Sequence, residues 1–544
     1  MEKSFVVTGK VVDIFNRRIY NAKVYVLNQK IQKIEETNEE FANYILPGLI
    51  DAHVHIESSM MIPSSFAMAA VKHGTVATVS DPHEIANVMG IEGVEFMIQN
   101  SKKVPFKFYF GAPSCVPATS FETSGAVISE KDIKTMLENP DIHYLAEMMN
   151  FPGVIFNDKD VIAKIAHANN LKKPIDGHAP GLSGDKLKIY SDYNITTDHE
   201  CTTVDEAIEK INCGINIQIR EGSAAKDFEN LFPLLNNYPE KVMFCTDDCH
   251  PDDLIKGHIN KILKNSVEKG ADIFNIIRAA TFNPVKHYNL DVGLLRENDP
   301  ADFIVCNDIV SFDVLQTYIN GKNVFDNGVV LIEPVVENPI NRFNCKAISE
   351  KDIVVPYNGL NIQVIVARDG DLITGKTIEK PLVKNSYIES DTERDILKIV
   401  VINRYNASKP AVGFIKNFNL KSGAMAGSIA HDSHNIIAIG VNDADIVSAV
   451  NRLIINKGGI VAIDGVRIEE LKLDVAGLMS TEKAEIIADK YHKVSKMVNE
   501  LGSRLTAPFM TMAFMALLVI PDLKIGDKGL FDVSKFEFTS LFVE

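Results

Sequence analysis

No stretch of this 544-residue chain is apolar over the length a membrane helix needs, which is ~20 residues. The most apolar run, APFMTMAFMALLVI from Ala507 to Ile520, is too short and predicts a buried helix. Basic residues are the minority: 56 Lys and Arg face 72 Asp and Glu, for a formal net charge of −16. A surface that binds phosphates needs a basic face, so nucleic acid is not an expected partner, and neither is a membrane. A neutral or cationic small substrate is left open. The opening MEKSFVVTGKVV lacks the charged-then-apolar pattern of a secretory signal. The seven cysteines are scattered, as free thiols are in a reducing compartment, so a cytoplasmic location is expected. Cys245 and Cys249 stand four apart in CTDDC, but without a second cysteine pair they do not make a thiolate zinc site. Internal repeats and low-complexity tracts are missing too, and GGIVAIDG lacks the ordered spacing of a phosphate loop.

What is present is too long for one core, and two or three domains are expected. The first ~45 residues alternate apolar and polar in short bursts (SFVVTGKVVDIF, NAKVYVLNQKIQKI), the period of a small antiparallel β unit. From Leu46 to about His287, short β-rich runs alternate with helical stretches. LIDAHVH, TVATVSD, FKFYFGA, HYLAEMM, KPIDGH, NITTDHE, INIQIRE and KVMFCTD read as eight strands, ending near 55, 81, 112, 149, 178, 200, 221 and 247. Such alternation predicts an α/β fold with a parallel sheet. Eight strands in this span fit a (β/α)8 TIM-like barrel, with an open doubly wound sheet as the alternative. VGLLRENDPADFIVCND and VLQTYINGKNVFDNG return to β texture. The expected division is a flanking β domain from 1–46 and 290–345, a barrel over 47–289, and a C-terminal α+β domain over 346–544.

Residues i and i+2 of a strand share a face, so His53 and His55 in GLIDAHVHIESSM project together where the first strand ends. An HxH pair alone does not make a metal site. The later strand ends repeat the residue types: Asp81, His83 and Glu84 in SDPHE, Glu147 in LAEMMN, His178 in DGHAPG, His199 in TDHE and Asp247 in CTDD. Barrel active sites are built at the carboxyl ends of the strands. Mixed nitrogen and oxygen donors suit first-row divalent ions.

These motifs resemble the amidohydrolase superfamily, through GLIDAHVH, the single histidines ending strands five and six, the aspartate ending strand eight, and AATFNPVKHYNL with VGLLRENDPADFIV. Within it the chain is most similar to the bacterial adenine deaminase family, through HVHIESSM, HGTVATVSDPHEIANV, LAEMMNFPGV, DGHAPGL, TDHECTT, FCTDD and, in the C-terminal part, SGAMAGSIAHDSHNIIAIGVND. The resemblance implies hydrolytic deamination of adenine to hypoxanthine and ammonia, in purine salvage. It implies two divalent ions, Mn or Fe before Zn. His53 and His55 would bind the buried ion with Asp247, and His178 and His199 the second. Glu147 stands where many superfamily members carry a carbamylated bridging lysine, and a glutamate can bridge without carbon dioxide.

Asp247 is then the expected proton carrier, with Asp248 as its alternative, and Glu84 or His83 the source of the proton for N1 of adenine. His83 and Glu84 also fit a helix cap. Glu57 fits a substrate contact or a cap, and Arg220 a substrate contact or a salt bridge in the barrel wall. His431 and Asp432 of AHDSHN fit a surface turn, or a loop that lids the barrel mouth and holds substrate or another metal. A homo-oligomer is expected. The competing readings are an amidohydrolase acting on another purine or a cyclic amide, and an inactive barrel kept as a scaffold.

Overall fold

The computed structural model describes residues 4–223 and 225–544. It divides into two compact units: Met1–His83, Glu95–Cys115 and Ser129–Val336 in the first, and Glu84–Val94, Val116–Ile128 and Glu337–Glu544 in the second.

The first unit holds an eight-stranded sheet contributed from two distant stretches. Its amino-terminal strands are Ser4–Asp13, Arg18–Leu27, Lys30–Glu36 and Tyr44–Pro47, and its later ones run from Phe303–Cys306 to Val329–Val330. Tyr44–Pro47 pairs antiparallel with Phe303–Cys306 and joins the two halves. Alternate residues such as Val24, Ile45, Phe303 and Tyr318 form its core.

The parallel strands follow. They are β1 (Leu49–Val54), β2 (Thr75–Ser80), β3 (Lys107–Ala112), β4 (Ile142–Met148), β5 (Ile175–Gly177), β6 (Thr197–Asp198), β7 (Asn216–Arg220) and β8 (Val242–Cys245). Strands β1 to β5 make one parallel sheet in sequence order, and β6 to β8 a second. Isolated parallel bridges link Ile175 to Ile195 and Val54 to Asp247. Strands β1 and β2 are buried at every position, as expected for strands covered on both faces. Val12, Ile14 and Leu46 of the flanking sheet share one apolar cluster with Ile219, Phe244, Ile277 and Phe312. That common core is why the flanking sheet and the parallel strands fall in one compact unit.

A buried ion cluster braces the ends of β5 and β6. Lys210 Nζ lies 2.8 Å from Asp198 Oδ2 and 2.9 Å from Glu206 Oε1, and donates to the carbonyl of Ala179 at 2.7 Å. Asp198 accepts the amide of Ala179 at 2.8 Å and that of Glu200 at 3.1 Å, so it fixes the residues that follow His178 and His199. Removing one partner of a buried pair leaves an uncompensated charge, at a cost of ~3–5 kcal/mol. Lys210→Ala is therefore expected to lower the thermal unfolding temperature by several degrees. A melting curve matching that of the parent would show that the pair carries no such strain.

The second unit is α+β. One sheet orders Gly375–Glu379, Asn361–Val366, Ala411–Lys416, Leu397–Ile402, Ile436–Gly440, Ala424–Gly427, Gly459–Asp464 and Arg467–Lys472, with Phe542–Val543 also paired to Asn361–Val366. Against it packs the helix Asp443–Asn456, started by the Asn442 side chain accepting from Asp445 N, with Ile446, Ala449, Val450 and Leu453 inward. The apolar run near 507–520 contains the wholly buried helix Pro508–Phe514. Among the described residues no helix is long and apolar enough to cross a membrane.

Candidate metal centre

The ends of β1, β2, β4, β5, β6 and β8 bring His53, His55, His83, Glu147, His178, His199 and Asp247 together within the first unit. Glu147 lies at the middle. Its Oε1 is 3.5 Å from His55 Nε2 and 3.3 Å from His83 Nδ1, while its Oε2 is 2.8 Å from His178 Nδ1 and 3.3 Å from His199 Nε2. Asp247 Oδ1 lies 3.0 Å from His55 Nε2 and 3.4 Å from His53 Nε2. The rings themselves are close: His53 stacks on His199 with centroids 4.1 Å apart, and His55 meets His83 edge-on at 4.6 Å.

Tautomers follow from what the other ring nitrogen touches. His55 Nδ1 is 3.1 Å from the carbonyl oxygen of Asp81. A carbonyl only accepts, so the proton sits on Nδ1 and the Nε2 lone pair faces the carboxylates. His53 is fully buried, and among the described residues neither of its ring nitrogens makes a hydrogen bond; the same is true of His199 Nδ1. Buried polar atoms are normally satisfied. Unsatisfied imidazole nitrogens converging with carboxylate oxygens are the donor set of a divalent ion, and the residues present fit one.

Groups whose ligand atoms lie within 4.8 Å of one another include His55, Asp81, His83 and Glu147; His53, His199 and Asp247; Glu147, His178 and His199; and His55, Asp247 and Asp248. His55 is grouped with Asp247 and His178 with His199, while His199 is also grouped with His53 and Asp247. Burial alone would raise the Glu147 carboxyl, but His178 and then His199 outweigh it and hold it well below the usual carboxylate range. Asp247 is held down in the same way by His53 and His55. Burial, then His199, pushes the His53 imidazole down, which keeps it in the neutral form that binds metals.

Asp247 has a left-handed backbone, φ 54°. Such a conformation costs a residue other than glycine ~1–3 kcal/mol and persists where neighbours over-determine it. Its amide donates to the carbonyl of His53 at 3.0 Å, and its carbonyl accepts from the amide of His55 at 3.1 Å. Between the two candidates at the end of β8, Asp247 is the one facing His53 as well as His55. Asp248 Oδ1 is taken by the Ser58 hydroxyl.

Arg220 ends β7 among carboxylates. Its guanidinium meets Glu200, Asp227 (3.0 Å) and Asp247 Oδ2 (3.1 Å), and the side chain is buried. Its charge is engaged by three carboxylates, the salt-bridge arrangement that the sequence offered beside a substrate contact. Glu57 is buried in the turn Ile56–Ser59 that follows β1. The capping role weighed for His83 belongs to Asp81, whose Oδ1 accepts the His83 amide at 3.0 Å.

Two members of the centre receive no ligand role from sequence reasoning. Asp81 Oδ2 lies 3.2 Å from His83 Nδ1, and Glu200 Oε1 lies 3.4 Å from His199 Nε2 and 3.7 Å from His178 Nδ1. Both stand in runs already singled out, SDPHE and TDHE. Strand alternation could not find Glu200, because β6 ends at Asp198 and the period of two stops there.

In the second unit, AHDSHN is not a surface turn: His431, Asp432 and His434 are buried. They gather around Glu84. His431 Nδ1 is 2.7 Å from Glu84 Oε1, His434 Nε2 contacts Glu84 Oε2, and Asp432 Oδ1 lies 3.8 Å from His431 Nδ1. His434 Nδ1 accepts the amide of Ala430 at 3.4 Å, so the proton of the neutral ring is on Nε2 and is donated to Glu84. Burial pushes the His434 imidazole down to about 4, which keeps it neutral.

Residues 44–324 match the amidohydrolase family, and residues 371–537 match the adenine deaminase C-terminal domain. The chain is 54% identical to an adenine deaminase of Methanosarcina mazei, over 98% of this chain and 99% of the relative. It is 48% identical to one from Salinibacter ruber with both chains covered in full. It is 49% identical to one from Borreliella burgdorferi, over 98% and 99% of the two chains.

Proposed function

The chain belongs to the adenine deaminase family of the amidohydrolases, and from that premise we propose that it hydrolyses adenine to hypoxanthine and ammonia. The observation that carries the hydrolytic chemistry is Glu147, with one oxygen turned to His55 and His83 and the other to His178 and His199. A carboxylate so placed would help hold divalent ions together with these four imidazoles. We read β1 to β8 as one closed (β/α)8 barrel, with the two isolated bridges as its joins. The domain reading retained is a flanking sheet, this barrel and the C-terminal α+β part.

His53, His55, Glu147, His178, His199 and Asp247 would hold two divalent ions, with Mn or Fe proposed as the native pair. Ions of this kind acidify water and so supply the nucleophile for hydrolysis near neutral pH. Asp247, kept ionised by the imidazoles and Arg220, is in the form that accepts a proton. It would carry the proton from water to the departing amine, while C6 of adenine exchanges its C–N bond for C=O. N1 gains a proton as C6 becomes tetrahedral, and His83 or Glu84 supplies it. The reaction would serve purine salvage in the cytoplasm, in a homo-oligomer.

The direct test is ammonia release from adenine by Mn- or Fe-loaded protein, with guanine, adenosine and a cyclic amide as competitors. Absence of adenine turnover by metal-loaded protein would sink the proposal. His83→Asn and Glu84→Gln separate the two proton sources. A general acid contributes ~10²–10⁴-fold, so the true donor should lose that much kcat with its metal content intact. If His83 is a ligand instead, its variant loses metal along with activity, and an undiminished Glu84→Gln would then leave both unassigned as the acid.

A further inference from the structure

Asp51 is fully buried on β1, two residues before His53, and its side-chain carboxylate meets groups at the join between the first and last parallel strands. Its Oδ1 accepts the amide of Thr246 at 3.1 Å and that of His53 at 3.4 Å. Its Oδ2 accepts the Thr246 hydroxyl at 2.5 Å. His258 Nε2 stands 3.0 Å from the same oxygen, and His258 Nδ1 is 2.7 Å from the Thr75 hydroxyl at the start of β2. Phe66 closes the histidine ring edge-on. Of these groups only His53 has a part in the mechanism above; Asp51, Thr246, His258, Thr75 and Phe66 have none.

The place is unusual for its backbone. β8 ends at Cys245, so the Thr246 amide lies beyond the ladder, and a carboxylate takes the place of the strand carbonyl. The next residue is Asp247, with its left-handed φ and its side chain among the imidazoles. A residue in that region needs its neighbours fixed on both sides. His53 and His55 fix its own amide and carbonyl, and Asp51 fixes the residue before it. Groups that orient ligands in this way set ion affinity without touching the ion.

We infer that Asp51, backed by His258, is a positioning residue that locks Thr246 to β1 and thereby holds Asp247 in its ion-binding conformation. The inference rests on the metal reading above and adds to it a determinant outside the ligand set. Asp51→Asn keeps one acceptor oxygen but offers an amide where Thr246 needs an acceptor. Thr246→Val removes the hydroxyl alone. His258→Leu removes the imidazole that stands 3.0 Å from Oδ2, and His258→Gln restores a polar group at that place.

The experiment challenges purified Mn-loaded protein with a graded chelator and measures retained Mn, alongside melting of the metal-free proteins. Outer groups of this type are worth ~10–100-fold in metal affinity. Asp51→Asn is expected to lose Mn at ~10–100-fold lower chelator, Thr246→Val and His258→Leu in the same direction, and His258→Gln to return toward the parent. If the parent retains no Mn, the metal reading itself fails. If the parent retains Mn and Asp51→Asn and Thr246→Val retain it equally, the inference is overturned. It is also overturned if the variants only melt earlier with unchanged Mn affinity, since that is a plain core role. Should Asp51→Asn not fold, Thr246→Val and the His258 pair decide between the same two outcomes.

Discussion

Glu147→Gln is expected to abolish tight binding of at least one ion and to lower kcat for adenine by ~10³-fold or more. The carboxylate has one oxygen within 3.5 Å of His55 and His83 and the other within 3.3 Å of His178 and His199. Glutamine keeps the length and the planar head, so packing in the apolar run around it is preserved. What disappears is one negative charge and one of two acceptor oxygens. Two unit charges ~4 Å apart at an effective dielectric of ~20 interact by ~4 kcal/mol, which is about three powers of ten, and a divalent ion doubles the charge involved. The new amide would also point N–H groups at imidazole nitrogens on one side. Metal analysis and steady-state kinetics on the same preparation check this. Full metal content with full activity would remove Glu147 from the site. Full metal with low activity would move it from ligand to reaction partner.

The parts of the fold that were legible are those written as uninterrupted apolar runs. The parallel strands are largely buried, so they read as apolar runs, most of them with a His, Asp or Glu at or just past the carboxyl end, and the eight ends land within two residues of where the sequence put them. The ligand types sit at those ends, which is why His53, His55, Glu147, His178, His199 and Asp247 could be named together. Three things were not legible. Glu200 lies past the end of β6, where strand period no longer decides which way a side chain faces. The role of Arg220 depends on Asp227 and Glu200 arriving from outside its own strand. The grouping of Glu84 with His431 and His434 joins residues about 350 positions apart, with nothing local to announce it.

Asp51 is a further case. It stands inside the same GLIDAHVH run that drew attention to His53 and His55, yet a lone aspartate before a histidine pair carries no spacing signal of its own. Its meaning comes from Thr246 and His258, both near 200 residues away. Local patterns therefore located the centre, while the groups that orient its ligands are set by long-range packing.

Asp247→Asn tests the other large effect, and the backbone makes it a clean substitution. Asparagine enters the left-handed region more readily than most residues, so φ 54° is retained without new strain. The side chain cannot satisfy both of its neighbours. With its oxygen toward His53 and His55, its amide meets the Arg220 guanidinium, a donor facing a donor. With its oxygen toward Arg220 Nη1, its amide faces the imidazoles instead. Neither orientation leaves a basic oxygen to receive a proton. A positioned acid–base group is worth ~10²–10⁴-fold, so kcat should fall by that range while the thermal unfolding temperature of the metal-free protein stays close to the parent. Asp247→Ala should lose the same activity and also melt earlier, because alanine gains nothing from the left-handed conformation. The assay is kcat at saturating adenine across a Mn titration. A deficit that excess Mn erases would make Asp247 a ligand only. A deficit that persists at full metal occupancy places the proton transfer on its carboxylate.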